Sequence, residues 1–191
     1  QALDFLHDIC LPDGNIPLFN DSAFRVAPPP ADILAYANQI CSYTRPLALN
    51  GLTVKEMPHT GYYVFRDGTD MMVIDCGAVG PNYQPGHAHA DTLSFELAVN
   101  GERVIVDSGV YDYEPGARRS YARSTRAHNT VQIDGENQSE VWGVFRVARR
   151  ACPLRASLKS DRPGHATFEG AHDGYARLSG ELIHKRSIDY S

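Results

Sequence analysis

The segment PGHAHAD, residues 85–91, concentrates polar side chains that could do chemistry. In an extended backbone, alternate side chains point to the same side, which would bring His87, His89 and Asp91 together. Two imidazoles and a carboxylate on one face can bind a metal ion or move protons near neutral pH. The alternative is a polar loop whose histidines hydrogen-bond to neighbouring backbone, and this segment alone does not decide between the two.

Two further residues could complete a metal site with these histidines. Asp107 ends one predicted strand and His128 precedes another. The set of His89, Asp107 and His128 is a two-histidine, one-carboxylate site that zinc accepts. Replacing Asp107 by Asp91 gives instead the HxD…H triad of non-haem iron oxygenases, for which Arg146 is the nearest residue that could hold a co-substrate carboxylate. The residues by themselves leave both sets open.

The chain between Asp107 and His128 is rich in tyrosine and arginine. The tyrosine hydroxyls could transfer protons in an active site, and the arginines could face an anionic substrate. The tyrosines are Tyr111, Tyr113 and Tyr121, and the arginines are Arg118, Arg119, Arg123 and Arg126. Further on, His172 lies at a predicted turn, where it would line either a site or a polar loop. A long solvated surface loop is the alternative for the whole stretch.

The elements that must position these residues change type along the chain. Behind three prolines, a stripe of apolar residues with helical spacing predicts a short helix over residues 31–41. After residue 58 the pattern predicts two hairpins, with Asp-Gly and Asn-Gly as their turns. The hairpins pair residues 62–67 with 70–76 and residues 93–99 with 102–108. Five further strands are expected, over residues 129–134, 144–150, 166–170, 175–181 and 182–189.

Short strands with a turn every ten or so residues favour a mainly β fold, an antiparallel β-sandwich. The chain has 191 residues, 18 basic against 23 acidic ones and a net charge of −5, and its charges form no broad basic face. Nucleic-acid binding is therefore not expected. No apolar run approaches the ~18–20 residues that span a bilayer, so no transmembrane segment is expected. Because the chain begins at Gln1 without Met, we expect a piece of a longer protein.

Five motifs, in this order, resemble the β-sandwich part of the heparinase II/III-like polysaccharide lyases. This family includes heparin, heparan sulfate and oligoalginate lyases. The motifs cover roughly residues 58–189 and are HTGYYVFRDG, GHAHADTLSFEL, ERVIVDSGVYDY, RSYARSTRAHNTVQIDG and HDGYARL. The resemblance implies the last loop and helix of an α/α toroid domain over residues 1–50 and a β-sandwich, truncated at its C-terminal end, over residues 51–191. It also implies a periplasmic or secreted location.

The function that the resemblance implies is β-elimination of an anionic, uronic-acid-containing polysaccharide or oligosaccharide. In this reaction the substrate carboxylate is neutralised, a base removes the C5 proton and an acid protonates the leaving O4. By position, His87 matches the sandwich histidine of the catalytic cleft. The family's zinc ligands match His89, Asp107 and His128, so the resemblance selects the first metal set, with zinc in a structural role.

The resemblance also extends to a catalytic tyrosine, which we assign to Tyr121 in preference to Tyr111. Arg119, Arg123 and His172 are the predicted substrate-binding residues. The toroid supplies the remaining catalytic groups, so we expect this chain alone to bind metal but to cleave little or no glycan. The alternatives are a non-haem iron oxygenase and a non-catalytic glycan-binding sandwich.

Overall fold

The computed structural model describes residues 1–44 and 50–191. These residues form three α-helices, α1 (Ala2–Ile9), α2 (Pro30–Cys41) and α3 (Ala117–Ala122), one 3₁₀ helix (Thr125–Ala127) and ten strands. The strands are β1 (Thr53–Met57), β2 (Tyr62–Asp67), β3 (Asp70–Asp75), β4 (Phe95–Val99), β5 (Glu102–Ile105), β6 (Val141–Trp142), β7 (Arg146–Val147), β8 (Pro153–Arg162), β9 (His165–His172) and β10 (His184–Tyr190). None of the described helices has the length and apolar character needed to cross a membrane.

The strands form two main antiparallel sheets, as the sequence pattern predicts. One sheet has five strands in the order β1-β2-β3-β4-β5, and the other has three in the order β10-β9-β8. Strands β6 and β7 form a separate two-stranded ribbon. At the turn between β4 and β5, Asn100 and Gly101 have φ values of 53° and 85°, the left-handed conformation that a type I′ hairpin turn requires. The predicted Asn-Gly hairpin is therefore confirmed.

A hydrophobic core joins the two main sheets. Tyr63 and Phe65 of β2 and Ile74 of β3 pack with Ala166 and Phe168 of β9. The side chains between them in the sequence point to the opposite face, because strand residues alternate. Burial of these aromatic and branched side chains on both facing sheets is the hydrophobic contribution that makes the sandwich stable.

The other face of the five-stranded sheet is covered by the N-terminal segment. Val64 and Val73 pack there against Ile9, Leu11 and Phe19. Helix α2, which begins at Pro30, confirms the predicted helix, and proline is favoured in the first helical turn because its missing N–H has no partner there anyway. The N-terminal segment therefore packs against the sheet, and this packing brings residues 18–22 to one end of it.

Three of the predicted strands are wrong or much shorter than expected. Residues 129–134 form no strand. The side chain of Asn129 donates to the backbone oxygens of Phe95 and Val106 at 3.0 and 2.8 Å, and these bonds hold the segment away from strand pairing. Residues 175–181 instead form successive turns, with N–H to C=O contacts such as Leu178 to Tyr175 at 3.0 Å. The strand expected at residues 144–150 is reduced to the two residues of β7.

Strand β8 was not predicted from the sequence, and its position in the sheet explains why. It lies at the edge of the three-stranded sheet, paired only with β9 among the described strands. Edge strands tolerate charged residues and need no continuous apolar face. The run PLRASLKSDR alternates apolar and polar residues only from Leu154 to Leu158 and is otherwise rich in charged residues, so its strand pattern is short.

Candidate active site and metal centre

Three chain segments that are distant in sequence meet at one end of the five-stranded sheet. They are residues 18–22 between α1 and α2, residues 76–94 between β3 and β4, and residues 106–128 after β5. The backbone N–H of His89 donates to Asn20 Oδ1 at 3.0 Å, and the N–H of Asn20 donates to Asp91 Oδ2 at 3.2 Å. The N–H of Val110 donates to the Ser22 carbonyl at 3.0 Å. These contacts fix the first segment between the other two.

A buried cluster of His89, Asp91 and His128 forms where the segments meet. Each residue offers one ligand atom, and these atoms all lie within 4.8 Å of one another. The rings of His89 and His128 have centroids 5.2 Å apart. All three residues are candidates from the sequence, and the fold brings them together from opposite ends of a 40-residue stretch.

Each histidine in this cluster has one nitrogen held by a carboxylate and one nitrogen without a hydrogen-bond partner in the described part of the chain. His89 Nε2 is 2.7 Å from Asp21 Oδ1, and His128 Nδ1 is 2.8 Å from Asp107 Oδ2. His89 Nδ1 and His128 Nε2 are the buried, unpartnered atoms. Buried nitrogens normally have a partner, and metal-bound histidines characteristically donate their other nitrogen to a carboxylate. The cluster therefore fits a divalent metal that prefers nitrogen and carboxylate ligands, such as zinc.

The two carboxylates of the alternative metal sets occupy different positions. Asp91 shares the 4.8 Å cluster with both histidines. Asp107 is also buried; its Oδ1 accepts the N–H of Gly109 at 3.1 Å and its Oδ2 contacts Nδ1 of His128. Burial lowers the pKa of His128, but the hydrogen bond to Asp107 and the charge of Asp91 outweigh it, and the pKa lies above its ordinary value.

The predicted catalytic residue His87 lies at the edge of this cluster, with its side chain 59% exposed. Its Nδ1 is 2.9 Å from Oδ2 of Asp21, a carboxylate that is itself buried. Arg119 donates to the same carboxylate through both terminal nitrogens. Burial raises the pKa of Asp21, but the hydrogen bonds from His89 and Arg119 outweigh that effect and hold the pKa well below its usual range.

A cavity of about 490 Å³ opens beside His87. Asn20, Tyr62 and Asp75 contribute hydrogen-bonding groups to its wall. Burial, together with the nearby charge of Asp91, raises the pKa of Asp75 to about 8. Asp75 therefore holds a proton more readily than an ordinary carboxyl group. The cavity offers space and hydrogen-bonding partners next to an accessible imidazole.

The structure brings a different tyrosine to His87 from the two that the sequence favours. The ring centroid of Tyr113 is 5.8 Å from that of His87. Tyr111 is 78% exposed, and its ring packs against the Arg118 guanidinium at 4.2 Å. Tyr121 is about half exposed and has the guanidinium of Arg126 5.6 Å from its ring.

The two arginines predicted to bind substrate are instead buried in the interior, so neither lies on the solvated surface loop that was the alternative for this stretch. Besides Asp21, Arg119 bonds the carbonyl oxygen of Val144 at 3.0 and 2.9 Å. Arg123 bonds the carbonyl oxygens of four residues, Ala88, Trp142, Gly143 and Arg146. Their guanidinium donors are committed to the loops around the site, so in this structure both arginines position backbone rather than face a ligand.

His172, the third predicted substrate-binding residue, is also fully buried. Its Nδ1 accepts the N–H of Gly174, and its Nε2 is 3.0 Å from Nδ1 of His184. Burial, with the neighbouring His184 and Arg186, lowers the pKa of His172 to about 3. His172 is therefore a neutral interior imidazole in a second pair of histidines, and its ring nitrogens are both engaged.

Asp21, Asn20 and Asp75 were not predicted from the sequence. Residues 18–22 are the stretch LFNDS, which carries no signal beyond that of a turn. Asp21 is 66 and 98 residues from His87 and Arg119, so no local spacing links it to either. Asp75 ends a strand, and a charged residue there is ordinary. These three residues become site residues only through the fold.

Comparison with known proteins agrees with the fold and with the five motifs. The family model described as Heparinase II/III-like, C-terminal matches residues 50–191. The chain belongs to the heparinase II/III-like C-terminal family. This membership confirms the resemblance drawn from the motifs.

Among characterised members, a heparin-sulfate lyase of Pedobacter heparinus is 31% identical over 150 residues, which are 69% of this chain and 22% of the relative. A heparin-sulfate lyase of Bacteroides stercoris is 33% identical over 96 residues, 46% of this chain and 14% of the relative. The chain therefore spans about a fifth of the length of the first of these proteins.

Solved structures of this heparinase II/III-like group match nearly the whole chain. A heparinase III gene product superposes with a TM-score of 0.71 at 22% identity. The match covers 97% of this chain and 29% of the heparinase III chain. The heparan sulfate lyase HepC of Pedobacter heparinus gives a TM-score of 0.66 at 26% identity, covering 95% of this chain and 28% of its own. The antiparallel sandwich is thus the fold of this family.

Proposed function

We propose that this heparinase II/III-like chain is part of a polysaccharide lyase that cleaves uronic-acid-containing glycans of the heparan sulfate type by β-elimination. Family membership and two relatives named heparin-sulfate lyase support this substrate class. The observation that carries the proposal is the accessible imidazole of His87, held by a buried carboxylate at the mouth of a 490 Å³ cavity.

His87 has the form that proton transfer requires. An ionised carboxylate only accepts hydrogen bonds, so the contact to Asp21 puts the proton of a neutral His87 on Nδ1. The lone pair of Nε2 is then available to take the acidic proton from C5, next to the uronate carboxyl. Tyr113, whose ring contacts His87, is the phenol that we propose protonates the leaving O4.

A bound zinc ion would cross-link the segments that carry His89 and His128 and so hold the cleft wall from which His87 projects. We propose His89 and His128 as two of its ligands, because each has an unpartnered buried nitrogen within the described residues. The family resemblance implies Asp107 as the carboxylate ligand, whereas the 4.8 Å cluster contains Asp91. Substitution of each carboxylate in turn distinguishes these two assignments.

The alternative candidate is a non-haem iron oxygenase. The specific observation in its favour is that Asp91, the carboxylate of the HxD…H triad, lies in the cluster with both histidines. Family membership favours the lyase. Metal analysis separates the two: zinc supports the lyase, and iron together with oxygen-dependent turnover supports the oxygenase.

The lyase proposal is tested on the full-length protein, in which we expect a helical domain to precede this chain. Incubation with heparan sulfate and, in parallel, with alginate is followed by the ultraviolet absorbance of the unsaturated uronate product. We expect His87→Ala to abolish the signal and Tyr113→Phe to reduce it more than Tyr121→Phe or Tyr111→Phe. His165→Ala, in the other sheet, is the matched control and should leave the rate unchanged. Full activity of the His87→Ala variant would refute the proposal.

A further inference from the structure

Residues 18–22, which we call the linker segment, run through the candidate site although they belong to the connection between helices α1 and α2. The backbone N–H of Leu18 donates to Oε1 of the buried Glu96 at 2.6 Å. Asn20 bonds His89 through its side chain and Asp91 through its backbone. Polar contacts at Leu18 and at Asn20 thus fix the linker segment to the site. The chain changes direction at Asn20, which has a φ of 56°.

Asp21 is the residue of the linker segment with the most contacts in the site. Its Oδ1 contacts His89 Nε2 at 2.7 Å and also Arg119, and its Oδ2 contacts His87 Nδ1 and Arg119, each at 2.9 Å. The carboxylate is almost completely buried. Each of its oxygens thus serves one histidine and one guanidinium nitrogen, so all of its strong acceptor positions are used.

Arg119 fixes the orientation of this carboxylate. Its guanidinium is fully buried, bonds the Val144 carbonyl through Nε and Nη2, and lies 5.0 Å from the ring of Tyr113 and 5.6 Å from that of Phe145. A two-point arginine–carboxylate pair allows little rotation about the carboxylate. With Arg119 on one side, the lone pairs of Asp21 that face His87 and His89 point in defined directions.

We propose that Asp21 is a positioning residue for His87: it holds the imidazole in the Nδ1-protonated tautomer and aims Nε2 into the cavity, an assignment that rests on the proposed lyase function. By the same carboxylate Asp21 orients His89, so one residue of the linker segment sets both the proton-transferring histidine and a histidine of the metal cluster. The geometry of the site therefore depends on how the segment between α1 and α2 is seated.

The tautomer of His87 tests this proposal without reference to activity. In the zinc-loaded 191-residue chain, ¹⁵N NMR of the histidine side chains distinguishes Nδ1–H from Nε2–H, and the His87→Gln variant assigns the signal. We expect His87 with the proton on Nδ1, and a mixture of tautomers in Asp21→Ala and Asp21→Asn. Asp13→Asn is the matched control, because Asp13 precedes the linker segment and pairs with Arg103 instead.

A wild-type His87 protonated on Nε2 would overturn the proposal, and this result requires no variant to fold. An unchanged Nδ1–H tautomer in a folded Asp21→Ala variant would overturn it as well. Both outcomes are independent of whether the larger protein is a lyase.

Measurements of kcat and KM on the full-length protein distinguish a positioning role of Asp21 from a purely structural one. We expect Asp21→Asn to lower kcat on the order of 10- to 100-fold with little change in KM, the range typical when a group that orients a metal-bound histidine, as Asp21 would orient His89, is replaced. Asp13→Asn should leave both parameters unchanged. An altered tautomer in a protein without lyase activity would keep the positioning role and refute only the proposed function, whereas an unchanged kcat in an active Asp21→Asn enzyme would refute the positioning role.

Discussion

The molecule contains two buried pairs of histidines with nearly the same ring separation and opposite surroundings. The ring centroids of His89 and His128 are 5.2 Å apart, and those of His172 and His184 are 4.9 Å apart. Each histidine of the first pair contacts a carboxylate, whereas His172 and His184 hydrogen-bond to each other at 3.0 Å. Among the described residues, one nitrogen on each ring of the first pair therefore has no hydrogen-bond partner, whereas His172 Nε2 and His184 Nδ1 of the second pair bond to one another.

The surroundings shift the pKa of His128 and the pKa values of the second pair in opposite directions. Burial lowers the pKa of His128, but Asp107 and Asp91 raise it above the ordinary value. Burial lowers the pKa of His172 to about 3 and that of His184 to about 4, with nearby cationic groups adding to the effect. Two imidazoles become a candidate metal centre or a neutral structural contact according to whether carboxylates reach them.

The largest expected effect is on metal content. His89→Ala should abolish binding of zinc by the chain, because it removes one of the two unpartnered nitrogens of the cluster. His172→Ala should retain the metal, since His172 already uses both nitrogens. Elemental analysis of both purified variants measures the difference, and metal lost equally from the two would remove the distinction between the pairs.

The next effect ranks the two carboxylates around the first pair. A direct ligand should cost more zinc affinity than a carboxylate that only orients a histidine, for which about 10- to 100-fold is usual. Competition titration with a zinc-binding dye on Asp91→Asn and Asp107→Asn gives the order. If Asp107→Asn is the weaker binder, the ligand set implied by the family resemblance holds. The reverse order assigns Asp91 as the ligand and Asp107 as the orienting group.

The buried arginines beside the first pair should contribute stability. Arg123→Ala removes the donor to the buried carbonyl oxygen of Ala88 and to partly buried ones such as that of Arg146, so we expect a loss of about 2–3 kcal/mol in the free energy of unfolding. Arg118→Ala removes only exposed contacts, with Asp112 and with the ring of Tyr111, and should change this free energy by less than about 0.5 kcal/mol. Urea unfolding of the two variants measures both values. Similar losses would contradict the interior role given to Arg123.

The smallest effect concerns the pH dependence of the second pair. The folded-state pKa of His172 lies below its unfolded value, so the unfolded state binds more protons and stability falls as the pH drops below the unfolded pKa. Between about pH 7 and about pH 5, His172 alone should account for about 2 kcal/mol of the loss.

Urea unfolding at the two pH values measures the loss of unfolding free energy in the wild type and in His172→Gln, whose side chain cannot titrate. The difference between the two losses is the contribution of His172. His165→Gln, which removes another imidazole from strand β9, serves as the control for the loss of a histidine in general. A slope identical in wild type and His172→Gln would show that His172 is not buried as a neutral imidazole.

Much of the fold follows from local pattern. The two hairpins and helix α2 were predictable because turn residues and apolar periodicity act over a few neighbouring residues. The prediction was wrong for residues 129–134 and 175–181, where polar side chains and successive turns determine the backbone. Strand β8 escaped detection because its apolar alternation is confined to Leu154, Ala156 and Leu158 among charged residues, which an edge strand tolerates.

The sequence by itself determined the residue types of the site: the HAHAD histidines, Asp107, His128 and the family's ordered motifs. It also determined the hairpins that carry them, since these depend on short-range preferences. Only the tertiary structure decided which carboxylate meets which histidine, because Asp21 reaches His87 across 66 residues of chain. It likewise decided that Arg119 and Arg123 lie inside, because burial of a charge depends on partners that the fold supplies and that no local spacing encodes.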